Sequence, residues 1–198
     1  MIFDLDGTLI DSRRDLAEST NEMLASYGAA ALPIDDVAAM VGEGAKVLVE
    51  RALAAAGLDP GAGDALDRFR AIYDRRLFEH TRPYPGIDEV VRAAAAGAAL
   101  AVLSNKPEAP SRRLLEGFDL LRWFRWVVGG DGPFPRKPDP AAVAYLMAQA
   151  RAPAARTLVV GDSTIDVLTA QRAGVRMCVA RYGFGRFDAQ AMAAGTEV

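Results

Sequence analysis

The chain has 198 residues, of which 51% are hydrophobic and 25% charged, with a formal net charge of -3, one cysteine and one histidine. That is enough for one domain, or for a domain with a modest insertion. The balance excludes a basic nucleic-acid footprint, an apolar run near the roughly 18 residues of a membrane span, and an internal disulfide. Met1-Ile2-Phe3 has no charged n-region or long h-region before it, so a cytoplasmic protein is expected.

Residues 1–3 are apolar and run straight into Asp4 and Asp6, after which Gly7 and Thr8 break the pattern. A short buried strand is predicted, delivering two carboxylates at its carboxyl end. Residues two apart in an extended chain share a side, so Asp4 and Asp6 approach one site while Leu5 turns into the core. Carboxylates that close repel unless a cation lies between them or one holds a proton. Gly7 lets the backbone turn where open α/β sheets place their ligands. Alone, the tripeptide reads equally well as a solvated strand end.

Helical patterning follows. Ser12 is a candidate N-cap for a helix reaching Tyr27, with Leu16, Met23, Leu24 and Tyr27 as its apolar stripe. A short helix over 35–41 ends at Gly42-Glu43-Gly44. A longer one over 45–56 is closed by Gly57, and another spans 64–79. Residues 13–82 therefore read as all-helical. Strand patterns return over 98–103, 126–128, 157–160 and 175–180, separated by helical stretches over 86–96, 111–117, 141–150 and 164–173. Apolar strands alternating with helices predict an α/β fold: a doubly wound parallel sheet with an all-helical insertion after its first strand.

Polar residues punctuate the strand ends. Ser104-Asn105-Lys106-Pro107 follows the second strand, Gly129-Gly130-Asp131 and Arg136-Lys137-Pro138 follow the third, and Gly161-Asp-Ser-Thr-Ile-Asp166 follows the fourth. A parallel sheet gathers these ends on one edge. Asp4, Asp6, Asp162 and Asp166 with no clustered His or Cys suit a hard, oxygen-ligated ion such as Mg²⁺. Ser104, Asn105 and Lys137 suit a phosphoryl group.

The order Asp-x-Asp-Gly-Thr, Ser-Asn, Lys-Pro and Gly-Asp-Ser-x-x-Asp resembles the haloacid dehalogenase (HAD) superfamily of phosphatases over nearly the whole chain. Within it, Val41-Gly-Glu-Gly-Ala45, Ser104-Asn-Lys-Pro107 and Val128-Gly-Gly-Asp131 resemble phosphoglycolate phosphatases. The resemblance implies a Rossmann-like core from 1–12 and 83–198 and a helical cap domain over 13–82. It implies that Asp4 is the nucleophile of an aspartyl-phosphate route and Asp6 the general acid and base. Mg²⁺ would be held by Asp4, the Asp6 backbone carbonyl and Asp162. Asp166 would orient Lys137 or a metal-bound water, and Ser104, Asn105 and Lys137 would hold the phosphoryl oxygens.

The implied activity is hydrolysis of a small phosphorylated metabolite, best matched by 2-phosphoglycolate. A phosphomutase of the β-phosphoglucomutase type and a pyrophosphatase are alternatives on the same scaffold. Because the core residues serve a group that every substrate shares, selectivity is expected from the cap: from Gly42, Glu43, Gly44 and Lys46, with Arg51 a second candidate cation. Lys106 reads equally as a substrate contact or a solvated lysine, and His80 as a solvated or capping residue. Compared with the superfamily, the strand at Met1 starts early and the end at Val198 comes early, which implies a compact or trimmed member.

Overall fold

The computed structural model describes residues 1–185, so the expected early end at Val198 lies outside the described residues. In chain order the elements are β1 (Ile2–Phe3), β2 (Ile10–Asp11), α1 (Arg13–Ala25), α2 (Ile34–Ala38), α3 (Ala45–Ala55), α4 (Ala65–Arg76), β3 (Arg82–Pro83), α5 (Ile87–Ala95), β4 (Ala101–Leu103), α6 (Glu108–Gly117), β5 (Trp126–Val128), α7 (Ala141–Ala150), β6 (Leu158–Gly161), α8 (Thr164–Ala173) and β7 (Arg176–Val179).

Alternation along the strands explains the layering. Ile2, Ala101, Leu103, Val128 and Val159 join one buried cluster, with Ala142, Val143 and Leu146 of α7 and Val167 and Ala170 of α8. Their neighbours Phe3, Val102 and Val127 point the other way, into a second cluster with Val91 of α5 and Leu114 and Leu115 of α6. A strand buried on both faces needs helices on both, and a parallel sheet meets that need through its crossovers. The five strands are parallel in the order β5-β4-β1-β6-β7, with Ile2 opposite both Ala101 and Val159. Strand order reverses at β1, so the crevice at its carboxyl end is the natural ligand position. The α/β class and the doubly wound parallel sheet expected from the sequence are what the structure has.

The helical block is not cored separately. Leu16, Met23, Leu24, Leu48, Leu53 and Phe69 belong to the same cluster as Phe3, Leu5 and Leu9, with α1 packed against α2, α3 and α4. Burying each such leucine or phenylalanine contributes about 1.5–3 kcal/mol. The chain leaves and re-enters the core side by side through β2 and β3, an antiparallel pair with Ile10 opposite Pro83 and Asp11 opposite Arg82. The sequence reading has no strand there, because two residues carry no period to detect. The return is fixed by Asp15, fully buried, whose carboxylate accepts from the Thr81 hydroxyl at 2.7 Å and from the N–H groups of His80 and Thr81. This buried acid holds the His80 backbone, while the His80 side chain is 35% exposed, 3.7 Å from Glu18.

Two local expectations change. Ser12 makes no side-chain cap for α1, since its hydroxyl turns to Asp6 instead. Helix α6 starts three residues before the expected Ser111, because Pro107 precedes it and Pro110 falls in its first turn, where a missing N–H is harmless.

Candidate active site

At the end of β1 the Asp4 N–H still donates to the Val160 carbonyl at 2.8 Å, so Asp4 leaves the sheet in register with β6. The chain then turns tightly, with the N–H groups of Leu9 and Ile10 both returning to the Leu5 carbonyl. Gly7 makes this possible. Its φ is +85°, and a Cβ there would stand 1.9 Å from Asp162 Oδ2. Only a glycine lets this turn lie against the end of β6.

Asp4 and Asp6 both line one cleft, but each has its own ammonium. Lys137 Nζ lies 2.9 Å from Asp4 Oδ1 and donates to Asp166 Oδ1 at 2.6 Å. Lys106 Nζ donates to both Asp6 oxygens at 3.0 Å and to the Tyr73 hydroxyl at 2.8 Å. The Ser12 hydroxyl donates to Asp6 Oδ1 at 2.6 Å. Two buried cations therefore settle the repulsion expected between the two carboxylates. Burial pulls against charge on both lysines, yet the paired acids hold their pKa values above the ordinary lysine range. Asp166 is fixed from its own helix. It is the third residue of α8 and forms a capping box with Ser163, whose hydroxyl donates to Asp166 Oδ2 at 2.6 Å.

Asp162 at the end of β6 completes the acidic side. Oxygens of Asp4, Asp162 and Asp166 lie within 4.8 Å of one another. Burial, then the charges of Asp4 and Asp166, push the Asp162 pKa up to about 8, and burial lifts Asp4 to about 6 against the pull of Lys137. Asp4 Oδ1 is buried without a well-directed hydrogen bond. Crowded carboxylates, one of them reluctant to ionise, fit a hard divalent cation. Asp166 fits less well as a direct ligand, since Lys137 and Ser163 already occupy its two oxygens.

The raised Asp162 pKa has a measurable sign. Between the unfolded value of 3.8 and about 8 the folded state holds the extra proton, so this group's contribution to stability declines as pH rises through that window. In chelator, Asp162→Asn should melt above wild type near pH 8, with the gap closing towards about pH 5. Thermal melts across that range check it, and a gap that does not change with pH would remove Asp162 as the burdened group.

The cleft is about 690 Å³, walled by the strand ends on one side and by α4 and the loop before α3 on the other. Ser104 and Asn105 are buried in it. The Asn105 side chain, however, is fully engaged: Nδ2 donates to the Gly42 and Lys137 carbonyls at 2.8 and 3.0 Å, and Oδ1 accepts from the Lys137 N–H at 2.8 Å. Its amide thus ties Lys137 and the helical block to the core, and is not a free phosphate donor as expected. Gly42 and Gly44 line the cleft; Glu43 and Lys46 do not. Glu43 pairs with Arg51, and Lys46 lies 3.7 Å from Glu50 with its side chain 66% exposed. The buried face of α3 carries Leu48, Val49, Ala52 and Leu53, and Lys46 projects off it to solvent. The structure thus places Lys46 and Arg51, expected to read a carboxylate, off the lining of this cleft.

Three features escaped the sequence reading. Tyr73 lies within the helix expected over 64–79 with nothing to mark it, yet its hydroxyl meets Lys106. Ser12 reads as a cap. The third is the turn after β7: Asp162 Oδ2 accepts from the N–H groups of Phe184 and Gly185 at 3.1 and 2.7 Å, and a Cβ on Gly183 would stand 2.3 Å from the Asp162 Cβ. The run Gly183-Phe-Gly185 is the one available signal, a pair of glycines beside a strand end.

The family model for haloacid dehalogenase-like hydrolases matches residues 1–180. A phosphoglycolate phosphatase of Pseudomonas syringae pv. syringae is 43% identical over 190 residues, 93% of this chain and 70% of the relative. One from Rhodospirillum rubrum is 44% identical over 194 residues, 94% of this chain and 80% of the relative. The crystal structure of a predicted phosphoglycolate phosphatase from Haemophilus somnus superposes with a TM-score of 0.86 at 32% identity, over 93% of this chain and 85% of that one. With its acids on the carboxyl edge of a doubly wound sheet and its match across residues 1–180, the chain belongs to the haloacid dehalogenase-like hydrolase family.

Proposed function

We propose that this hydrolase is a Mg²⁺-dependent phosphomonoesterase that cleaves 2-phosphoglycolate through an aspartyl-phosphate on Asp4. The observation that carries the reading is the pairing of two partly buried carboxylates, in one cleft, with two separate buried ammonium groups. That arrangement gives the acids different work. Asp4 stands at the carboxyl end of β1 with Lys137 Nζ 2.9 Å from its Oδ1, a carboxylate positioned in the cleft as a nucleophile needs. Asp6, held by Ser12 and Lys106, is fixed for proton transfer.

In the first step an Asp4 oxygen bonds to phosphorus as the bond to the ester oxygen breaks, and Asp6 gives its proton to that oxygen. In the second, Asp6 takes a proton from water, the water oxygen bonds to phosphorus, and Asp4 leaves as a carboxylate. Lys137 and Ser104 hold the phosphoryl oxygens, Lys137 being oriented by Asp166 and by the Asn105 amide. Asp4, Asp162 and the Asp6 backbone carbonyl would hold Mg²⁺, which when bound offsets the repulsion between a phosphate dianion and a carboxylate. The helical block over 13–82 acts as a cap on the core of 1–12 and 83–198 and selects the leaving group. No helix among the described residues is long and apolar enough to cross a membrane, and a cytoplasmic setting suits the single cysteine.

The test is a phosphate-release panel of 2-phosphoglycolate, sugar phosphates, nucleotides and pyrophosphate, with and without chelator. The highest kcat/KM is expected for 2-phosphoglycolate, with activity lost on chelation and restored by Mg²⁺. A preference for pyrophosphate, or interconversion of sugar phosphates, would replace the reading with one of the alternatives. Full activity after thorough chelation would remove the metal.

A further inference from the structure

We infer that Lys106 is the specificity-determining cation of this cleft, receiving a carboxylate carried by the leaving group of the substrate. The inference rests on the phosphatase reading above and adds what recognises the part of the substrate that differs from one ester to the next.

Lys106 and Lys137 are the buried cations among the described residues. Lys137 stands against Asp4 and Asp166, on the side where the phosphoryl group must sit to meet the nucleophile. Lys106 stands on the other side of the acid pair, 3.0 Å from the carboxylate that must reach the leaving oxygen. A carboxylate on the carbon next to that oxygen lies within the span of one ammonium that touches Asp6. An ester with a neutral leaving group would offer Lys106 nothing there.

The other cations at the cleft differ from Lys106 in being exposed to solvent. Arg113 pairs with Asp74, Arg70 lies 3.4 Å from Asp67, and Arg136 donates to the Gly130 carbonyl. A charge–charge contact is worth most where water is absent, and the Lys106 side chain is 6% exposed. The helical block shapes the same spot. Tyr73 of α4 accepts from Lys106 Nζ and lays its ring 4.6 Å from the ammonium, with Phe69 stacked behind it at 5.7 Å. This aromatic wall lines the cleft beside Lys106 and keeps water from that side of the ammonium.

The experiment compares 2-phosphoglycolate with ethyl phosphate, which keeps the two carbons and lacks the carboxylate, in wild type and in Lys106→Met. Wild type should favour 2-phosphoglycolate strongly, and Lys106→Met should shrink that preference about 10- to 100-fold, the worth of a charge-assisted hydrogen bond. The ratio is the decisive readout, because a residue that only orients Asp6 would slow both esters alike. Glycolate should likewise inhibit wild type far better than the variant. If Lys106→Met does not fold, Lys106→Gln keeps a donor for Asp6 without the charge, and the same loss of preference is expected; Lys106→Arg should retain the preference. Equal losses for both esters, in a wild type that does prefer 2-phosphoglycolate, would overturn the inference and leave the phosphatase reading standing. A wild type that prefers ethyl phosphate would overturn this inference and the 2-phosphoglycolate assignment together.

Discussion

Asp4→Asn should lower kcat for phosphoester hydrolysis by about 10⁴-fold or more, the scale seen when a covalent nucleophile is removed. An amide keeps the shape of the carboxylate but cannot attack phosphorus usefully at neutral pH. The fold should survive. The Asp4 N–H keeps its bond to Val160, and Lys137 keeps its 2.6 Å bond to Asp166 when the charge on Asp4 is gone. Burial already lifts the Asp4 pKa to about 6, so the wild-type site carries that charge with effort, and removing it relieves strain in the metal-free protein. Phosphate release under single-turnover conditions, with circular dichroism on the same sample, separates the two effects. Wild-type turnover in a folded Asp4→Asn would end the covalent mechanism.

Lys137→Met should be the most damaging change to stability as well as to rate. Its side chain is 3% exposed and its ammonium is shared by Asp4 and Asp166. Removing it leaves buried acids without their cation, and breaking a buried pair from one side costs about 3–5 kcal/mol. Three acids would then share one pocket, since Asp162 is already pushed up by Asp4 and Asp166 after burial itself. Denaturant unfolding in chelator should show that loss, and addition of Mg²⁺ should recover part of it by supplying a cation to the same oxygens. Activity should stay low with metal present, because in the proposed mechanism Lys137 also holds a phosphoryl oxygen. A variant as stable as wild type in chelator would mean that the acids share protons instead of needing the ammonium.

The contrast between the two lysines bears on how far such a site can be read from a string of residues. Asp4, Asp6, Asp162 and Asp166 were placed together by local pattern alone. Asp4, Asp6 and Asp162 follow short apolar runs, with Asp166 one helical turn on, and a parallel sheet brings all such run ends to one edge whatever the loops do. Lys137 was reached in the same way, as polar punctuation after a strand. Lys106 had the same kind of address, in Ser104-Asn-Lys-Pro107, but its neighbours decide its meaning. Nothing in the sequence says that Tyr73, 33 residues earlier on α4, meets its ammonium, because the placement of a helical block over a sheet is set by packing of many residues at once.

The same limit explains the misplaced cation. Lys46 has the right sequence position, just past Gly42-Glu43-Gly44, and the apolar period of α3 would have turned it outward had the facing direction of that helix been known. Asn105 was assigned to the phosphate by its residue type, yet its amide is consumed by Gly42 and Lys137, a count of donors and acceptors possible only with neighbours in place. Ser12 shows the ambiguity in one residue: a serine before a helix caps it by default, and here a carboxylate six residues back takes the hydroxyl. Periodicity and strand-end chemistry act over a few residues and were written in the sequence, namely the sheet, its insertion and the acid cluster. The pairing of each acid with its own lysine, the placing of the aromatic wall beside Lys106 and the fastening of Asp162 by the turn at 183–185 depend on contacts across the whole fold, and so they came only with its packing.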